Sequence, residues 1–497
     1  MANATIDRRT GPPMAHDRIG VLLDDGRFDR IRSAVVSRAE GVAPVPGDGV
    51  VAGFGRIDGR PVAVYAQDGA FMAGSLGATH AATIVRVLRI ARERGIPVVG
   101  IVESGGARLQ EGVLALDGYA RVFREMVAAR AAIPQISLVI GSAAGGGAYS
   151  PALGDFVVMT SESSMFLTGP WVVNEAMSEQ VDAADLGGPR VHGANGVADL
   201  VAPDFTSAAR MARHLLAFLP ASIGETPHSE PCASSRRRTT PDPSTGVPAR
   251  GREVYDIREP IHRIVDSPVR SDSRSAGPAW MELNPRWGRS MVTGFGRVEG
   301  RVVGIIANQP RWLGGTIDFA AAEKGSKFVA TCDRFGVPLV VLVDTPGFLP
   351  GSKQEAAGVI RHGAGLVAAF AAATVPRMTV VLRKAFGGAY IVMNSRGLGA
   401  DMVLAWPGAE IGVMAPVTAI KLTSRRRLAE LDPADRQALA GRLESEYHER
   451  HCSAAAAASL GMIDEVIEPV ETRGRIARFL ESCAPPEQGL GRVGRRP

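Results

Sequence analysis

The chain has 497 residues, 45% hydrophobic and 22% charged with 58 glycines, the balance of a globular α/β protein long enough for two domains of about 200 residues. Its formal charge of +5 is too weak a field for a nucleic-acid groove. No apolar run of about 18 residues and no signal-peptide core is visible, so a cytoplasmic protein with no membrane and no nucleic-acid partner is expected.

In chain order, a disordered tail over 1–14 leads into a first domain at 15–220. Gly53-Phe54-Gly55-Arg56 followed by Asp58-Gly59 reads as a hairpin between two strands. Residues 81–94 have helical character. Gly95-Ile96-Pro97-Val98-Val99 then opens a short apolar strand that ends in Glu103-Ser104-Gly105-Gly106. A further strand beginning at Pro134-Gln135-Ile136 runs straight into Gly145-Gly146-Gly147-Ala148-Tyr149. Residues 221–285, rich in Pro, Ser, Thr and Arg, read as a linker, and 486–497 as a second disordered tail.

Between linker and tail, over 286–485, the same signals return. Gly53 recurs at Gly294 within a second Gly-Phe-Gly-Arg, followed by Glu299-Gly300, and Gly95 recurs at Gly336, both 241 positions on. Residues 319–335 repeat the helical stretch. Asp344-Thr345-Pro346-Gly347 answers Glu103-Ser104-Gly105-Gly106, and the strand from Pro376 runs into Gly387-Gly388-Ala389-Tyr390. Markers holding one register over some ninety positions indicate an internal duplication of an α/β domain.

A strand that ends in glycines and starts a helix leaves backbone N–H groups facing outward at the positive end of the helix dipole. Such a corner can hold a developing oxyanion, each donor stabilising a transition state by about 2.7–4 kcal/mol. Neither cluster has dinucleotide spacing. There is no G-x-S-x-G, no H-E-x-x-H and no metal-ligand spacing, and Cys232, Cys332, Cys452 and Cys483 are too scattered for a zinc or disulfide framework. His192 and His362 each stand alone and read as structural or surface residues. Two oxyanion corners without a side-chain base point to a reaction whose proton carrier belongs to a substrate or cofactor.

The strings Ser104-Gly105-Gly106-Ala107-Arg108-Leu109-Gln110-Glu111-Gly112, Tyr149-Ser150-Pro151-Ala152-Leu153, Asp344-Thr345-Pro346-Gly347-Phe348-Leu349-Pro350-Gly351 and Arg383-Lys384-Ala385-Phe386-Gly387-Gly388-Ala389-Tyr390 resemble the β subunits of biotin-dependent acyl-CoA carboxylases of the propionyl-CoA and acetyl-CoA type. The resemblance spans about 15–485 and implies two tandem crotonase (ClpP/crotonase-like) domains and a homo-oligomer, a hexamer built as a trimer of dimers. It implies a carboxyltransferase that moves CO2 from carboxybiotin to the α-carbon of a short-chain acyl-CoA, with the ureido nitrogen taking the α-proton and an enolate attacking CO2. Gly145 and Gly146 match the donor pair for the thioester oxygen, and Gly388 and Ala389 the pair for the biotin ureido oxygen. Gly105, Gly106, Ala107, Arg108, Thr83 and Tyr149 match acyl-CoA-binding positions; Gly347, Phe348, Gly387, Tyr390 and Ile391 match biotin-binding ones.

Three positions depart from the family pattern. Thr83 stands where many relatives place a Lys near the CoA phosphates, Glu103 where many have Asp, and Ile391 where propionyl-type relatives often carry Asp. No Ala-Met-Lys-Met biotinylation motif and no P-loop is present, so biotin, its carrier and its ATP-dependent carboxylation are assigned to a partner chain, the biotin carboxylase/biotin carrier α subunit. No metal is expected in this subunit. A biotin-dependent decarboxylase or transcarboxylase, and a non-catalytic scaffold subunit, are the alternatives.

Overall fold

The hairpin signals become the first strand pairs of two similar sheets in the computed structural model, which describes residues 14–37, 39–229, 241–249, 251, 253–267 and 279–483. In the first sheet β1 (Asp29–Ile31), β2 (Val50–Ile57) and β3 (Arg60–Gln67) pair antiparallel, with Asp58 and Gly59 in the turn at φ 52° and 72°. β4 (Val98–Ser104), β5 (Gln135–Ala144), β6 (Phe156–Thr160) and β8 (Leu200–Ala202) extend it in parallel, and β7 (Ser164–Phe166) pairs with the far end of β5. The order is β1-β2-β3-β4-β5-β6-β8. Val98 to Val102 are buried without alternation, as a parallel strand covered on both faces requires.

The second sheet repeats this plan. β9 (Trp280–Leu283), β10 (Met291–Val298), β11 (Arg301–Asn308), β12 (Leu339–Thr345), β13 (Arg377–Phe386), β14 (Met402–Ala405) and β16 (Glu465–Val466) are neighbours in that order, and β15 (Glu410–Gly412) pairs with the far end of β13. Even the irregularities coincide. The pairing of β4 with β5 slips between Val102 and Ser104, and that of β12 with β13 slips between Val343 and Thr345. Each slip ends the strand at the loop that carries the Gly-containing motif.

Around the first sheet lie α1 (Ala15–Leu22), α2 (Ala78–Arg94), α3 (Val113–Arg130) and α4 (Gly146–Leu153). α2 stops at Gly95, whose left-handed φ of 64° closes the helix. Its counterpart Phe319–Arg334 starts on Asp318, whose side chain accepts from Ala321 N–H at 2.8 Å. By contacts the chain gathers into two compact units. Among the described residues the first runs to His228 and takes back Leu283–Trp287, and the second holds 288–483 and most of the described segment before it.

The stretch expected to be linker, 221–285, is interrupted by structure belonging to the second unit. The helix Arg258–Ile264 buries Ile261 and Ile264 in a core with Tyr255, Ile257, Val265 and Trp280. Seven residues are too few to display a helical period, which is why composition alone read this segment as spacer. The tail over 1–14 lies outside the described residues except for Met14, as do 486–497, Cys232 and the Arg236-Arg237-Arg238 cluster. The other three cysteines are free thiols.

A duplicated clamp shows how far the repeat extends. After α1, Asp24 accepts from Asp58 and Gly59 N–H, both at 2.9 Å, and Arg213 joins it at 2.8 Å while donating to Leu22 O. After Arg258–Ile264, Asp266 accepts from Glu299 and Gly300 N–H at 2.9 and 2.8 Å, and Arg473 joins it at 2.6 Å while donating to Ile264 O. The second copy thus begins before Arg258, with its own version of α1. Asp266→Ala removes the acceptor for two turn N–H groups and a carboxylate partner of a buried guanidinium, at an expected cost of about 3–5 kcal/mol. Urea unfolding followed by circular dichroism should show a transition at clearly lower urea; an unchanged midpoint would dispose of the clamp.

Candidate functional site

The chemistry-bearing loops emerge where β4 and β5, or β12 and β13, reach their C-terminal ends. In the first unit, the Gly106 N–H donates to Ser104 Oγ at 3.3 Å with φ at 103°, and Gly105 N–H is held by Ala73 O at 2.7 Å. In the second unit, Gly347 N–H donates to Thr345 Oγ1, again at 3.3 Å, with φ at 141°. At both positions a side chain would be strained, so glycine is dictated by the backbone.

Across from each loop a helix begins on a glycine in the left-handed region, Gly145 at φ 54° and Gly387 at φ 58°. These two residues are structural counterparts, 242 positions apart. The expected donor pair Gly145 and Gly146 therefore needs correction. Gly145 N–H is consumed by Phe166 O at 3.0 Å, extending the pairing of β5 with β7. The first-turn donors that remain at the start of α4 are those of Gly146 and Gly147, the counterparts of Gly388 and Ala389.

Of the other first-unit positions, Gly105 is exposed, Ala107 is half-buried in a bridge to Leu76, and Tyr149 is half exposed with its ring edge-on to Phe123. Arg108 is not available to a ligand. Its guanidinium is buried among Asp48 Oδ1 at 2.6 Å, Glu111 Oε1 at 2.9 Å and Ser75 O at 3.0 Å. Glu111 in turn accepts from Ala78 N–H at 2.6 Å, and Asp48 from His80 N–H at 2.9 Å. Burial raises the Asp48 pKa, with the adjacent Arg108 opposing it. The arginine ties the loop to the start of α2 and does not project into a cleft. Thr83 is likewise buried, its hydroxyl donating to Thr79 O and accepting from Arg32 Nε at 3.0 Å.

Gly347, Gly387 and Gly388 line one cavity of about 1200 Å³ in the second unit. Phe348 lies beneath Gly388, where an added Cβ would be 3.7 Å from its ring. Ala389 is buried and Ile391 is half exposed. Tyr390 is half-buried, which raises its phenol pKa, and its Oη reaches Met462 O at 3.5 Å. The sequence reading missed Lys384, Glu410 and His448, which also line this cavity. Lys384 was legible as the charged residue just before the glycines. Glu410 and His448 come from β15 and the helix Pro433–His451, and nothing in the sequence connects them to the glycines.

Each first loop is anchored through its preceding acid. Asp344 is fully buried and accepts from Arg383 Nε at 2.7 Å, with Lys384 Nζ at 3.7 Å. Glu103, at the matching position, pairs with Arg18 of α1 at 2.6 Å. The longer side chain occupies space left by Gly69 and Gly141, where a Cβ would come within 3 Å of its carboxylate. His192 Nε2 lies 2.7 Å from Met165 O, and His362 sits against Phe319 and Glu323. Neither approaches a glycine corner by any hydrogen bond. Among the described residues no three His, Cys, Asp or Glu side chains are grouped to hold a metal, and no helix is long and apolar enough to cross a membrane.

The profile of the carboxyl transferase domain matches residues 7–487. The chain belongs to the carboxyl transferase domain family. It is 43% identical to the propionyl-CoA carboxylase beta chain of Saccharopolyspora erythraea, over 97% of this chain and 89% of that one. It is 40% identical to the methylmalonyl-CoA decarboxylase subunit alpha of Veillonella parvula, over 95% and 90%. The crystal structure of the transcarboxylase 12S hexamer, with hydrolysed methylmalonyl-coenzyme A bound, superposes with a TM-score of 0.89 at 39% identity, covering 97% of this chain and 92% of that one. The duplicated crotonase-like α/β fold expected from the sequence is the fold of this carboxyl transferase.

The cradles around the glycines separate two tests of the corners. A Cβ on Gly388 meets nothing closer than 3.7 Å within the chain, whereas one on Gly146 falls 2.8 Å from the Tyr119 ring. Gly388→Val should abolish carboxyl transfer while leaving the thermal unfolding midpoint in place. Gly146→Val should lose both activity and several degrees of midpoint. Full transfer activity in Gly388→Val would remove this corner from the reaction.

Proposed function

We propose that this chain is the carboxyltransferase subunit of a biotin-dependent acyl-CoA carboxylase, acting on a short-chain acyl-CoA in the cytoplasm as a homohexamer with a biotin-bearing α subunit as partner. The observation that carries this reading is the repetition of one device, a strand-end slip, a positive-φ glycine loop and a glycine-led helix start, in both units. Two oxyanions in one reaction need two such corners.

Carboxybiotin, when bound, supplies the CO2 and a ureido nitrogen basic enough to take the substrate α-proton. The residues of the second unit fit that group. Gly388 leaves the wall of the cavity bare of side chain, so a ureido oxygen can come close to the N–H groups of Gly388 and Ala389. Gly347 and Gly387 continue that wall. In the first unit, the N–H groups of Gly146 and Gly147 are assigned to the thioester oxygen, which gains charge as the α-proton leaves. These donors bind the enolate more strongly than the ketone-like ground state, and that difference is what accelerates the reaction. The exposed faces of Gly105 and Tyr149, with Ala107 and Gly106 behind them, are assigned to the acyl-CoA side, and Ile391 to the biotin side.

The chain should be mixed with a carboxylated biotin carrier protein and, separately, acetyl-, propionyl- and butyryl-CoA, and the products identified by mass. Formation of malonyl-, methylmalonyl- or ethylmalonyl-CoA is expected from at least one. With the biotin-bearing partner present, net release of CO2 from methylmalonyl-CoA without ATP, in preference to carboxylation, would favour the decarboxylase reading, the name borne by the Veillonella relative. No exchange in either direction would reduce the chain to a scaffold.

A further inference from the structure

Tyr119, on α3, is 4% exposed and touches both walls of the first-unit corner. Its Oη lies 3.2 Å from Ser104 Oγ, the same atom that accepts from Gly106 N–H at 3.3 Å. Its ring fills the space below Gly146, where an added Cβ would fall 2.8 Å from Cγ and Cδ2. A Cβ on Gly147 would lie 3.1 Å from Ser104 Cβ and 3.4 Å from Tyr119 Oη. Phe123, with ring centroids 5.6 Å from Tyr119 and 5.9 Å from Tyr149, continues the aromatic support to the exposed ring of Tyr149. One buried side chain thus braces the loop, the helix start and the aromatic rim.

We propose that Tyr119 is a positioning residue of the acyl-CoA corner, setting the Gly106 loop against the N-terminus of α4 through its hydrogen bond to Ser104 and its ring contact with Gly146. This rests on the proposed function. The phenol keeps its proton under any assay condition near neutrality, because burial pushes its pKa up to about 12. It therefore remains a donor, and Ser104, having two lone pairs and one O–H, can hold the phenol and the Gly106 N–H at once. The second unit has the Thr345 to Gly347 link, but its buried phenol near that loop, Tyr255, lies against Arg383 and comes from outside the helix that matches α3. The residue 241 positions on is Ile360, 76% exposed, and the floor below Gly388 is Phe348 from the loop itself. A phenol reaching from this helix to both the loop and the helix start is thus a feature of the first corner, so the two half-reactions should separate.

Tyr119→Phe keeps the ring under Gly146 and removes only the hydroxyl; Ser104→Ala removes the other half of the bond. Carboxyl transfer from a carboxylated carrier to acetyl- and propionyl-CoA should lose about tenfold in kcat in either variant, the scale of one buried hydrogen bond at a corner. KM for the acyl-CoA should stay within about twofold, and the double variant should be no slower than the slower single one. Carrier decarboxylation without acyl-CoA should be unchanged. Wild-type kcat in Tyr119→Phe overturns the assignment. So does an equal loss of carrier decarboxylation together with a lower unfolding midpoint, the signature of general loosening. If the wild-type chain transfers to no acyl-CoA while remaining folded, the functional reading fails and the assignment with it; transfer by wild type with an unaffected Tyr119→Phe defeats the assignment alone.

Discussion

Everything about the two corners follows from one constraint: a backbone N–H can stabilise a developing oxyanion only where no other acceptor has claimed it and no side chain stands in the way. Helix starts meet the first condition, because their opening donors lack intrahelical partners. Glycine meets the second. A parallel sheet brings the C-terminal ends of neighbouring strands to one edge, so the loop after β4 or β12 faces the helix that follows β5 or β13. The slip at Ser104 and at Thr345 then releases each loop from the ladder at the point where its glycine must turn. Gly145 shows the limit of the argument, since its N–H is spent on Phe166 and only the next two residues remain.

The two copies keep this geometry but hold it in place differently. The first loop is fixed from below by a buried cluster of Asp48, Arg108 and Glu111. At the register positions of the second copy stand Arg289, Leu349 and Ser352, which cannot form it. There Arg289 stacks on Trp312 at 3.6 Å, and the loop is anchored through Asp344 and Arg383. Burying three charged groups in the first copy is costly unless each is well paired. The short distances from Arg108 to both carboxylates, and from Glu111 to Ala78 N–H, meet that requirement. A loop held by buried charge resists displacement along every direction in which those bonds would break, which suits a corner that must stay rigid while charge moves.

Duplication, class and the glycine corners were legible in the sequence because they depend on local rules: hairpin turn residues, strand-opening prolines and consecutive glycines. The pairing of the Gly145 N–H was not, because it depends on which N–H the strand β7 takes, and Ser164, Met165 and Phe166 carry no sign of that pairing. Arg108 was placed among the acyl-CoA contacts by the family resemblance; its two acid partners lie sixty and three residues away, and only the first is remote. Thr83 was placed on the acyl-CoA side because many relatives carry a Lys at its position, whereas the shorter hydroxyl is buried on Thr79 O and Arg32. The helix Arg258–Ile264 was hidden by brevity, and its role emerges only from the clamp it shares with α1.

The same symmetry bears on direction. In the proposed reading, donors at the first corner would stabilise an enolate whether it is formed by loss of a proton or by loss of CO2, and donors at the second would stabilise a ureido oxygen whether biotin is giving up CO2 or receiving it. By microscopic reversibility the corners lower one barrier from both sides and leave the equilibrium where it was. The two corners by themselves therefore do not choose between carboxylation and decarboxylation. That decision falls to what drives the carrier's carboxylation, ATP hydrolysis on a partner or removal of CO2 elsewhere. Relatives at 43% and 40% identity bear the two opposite names.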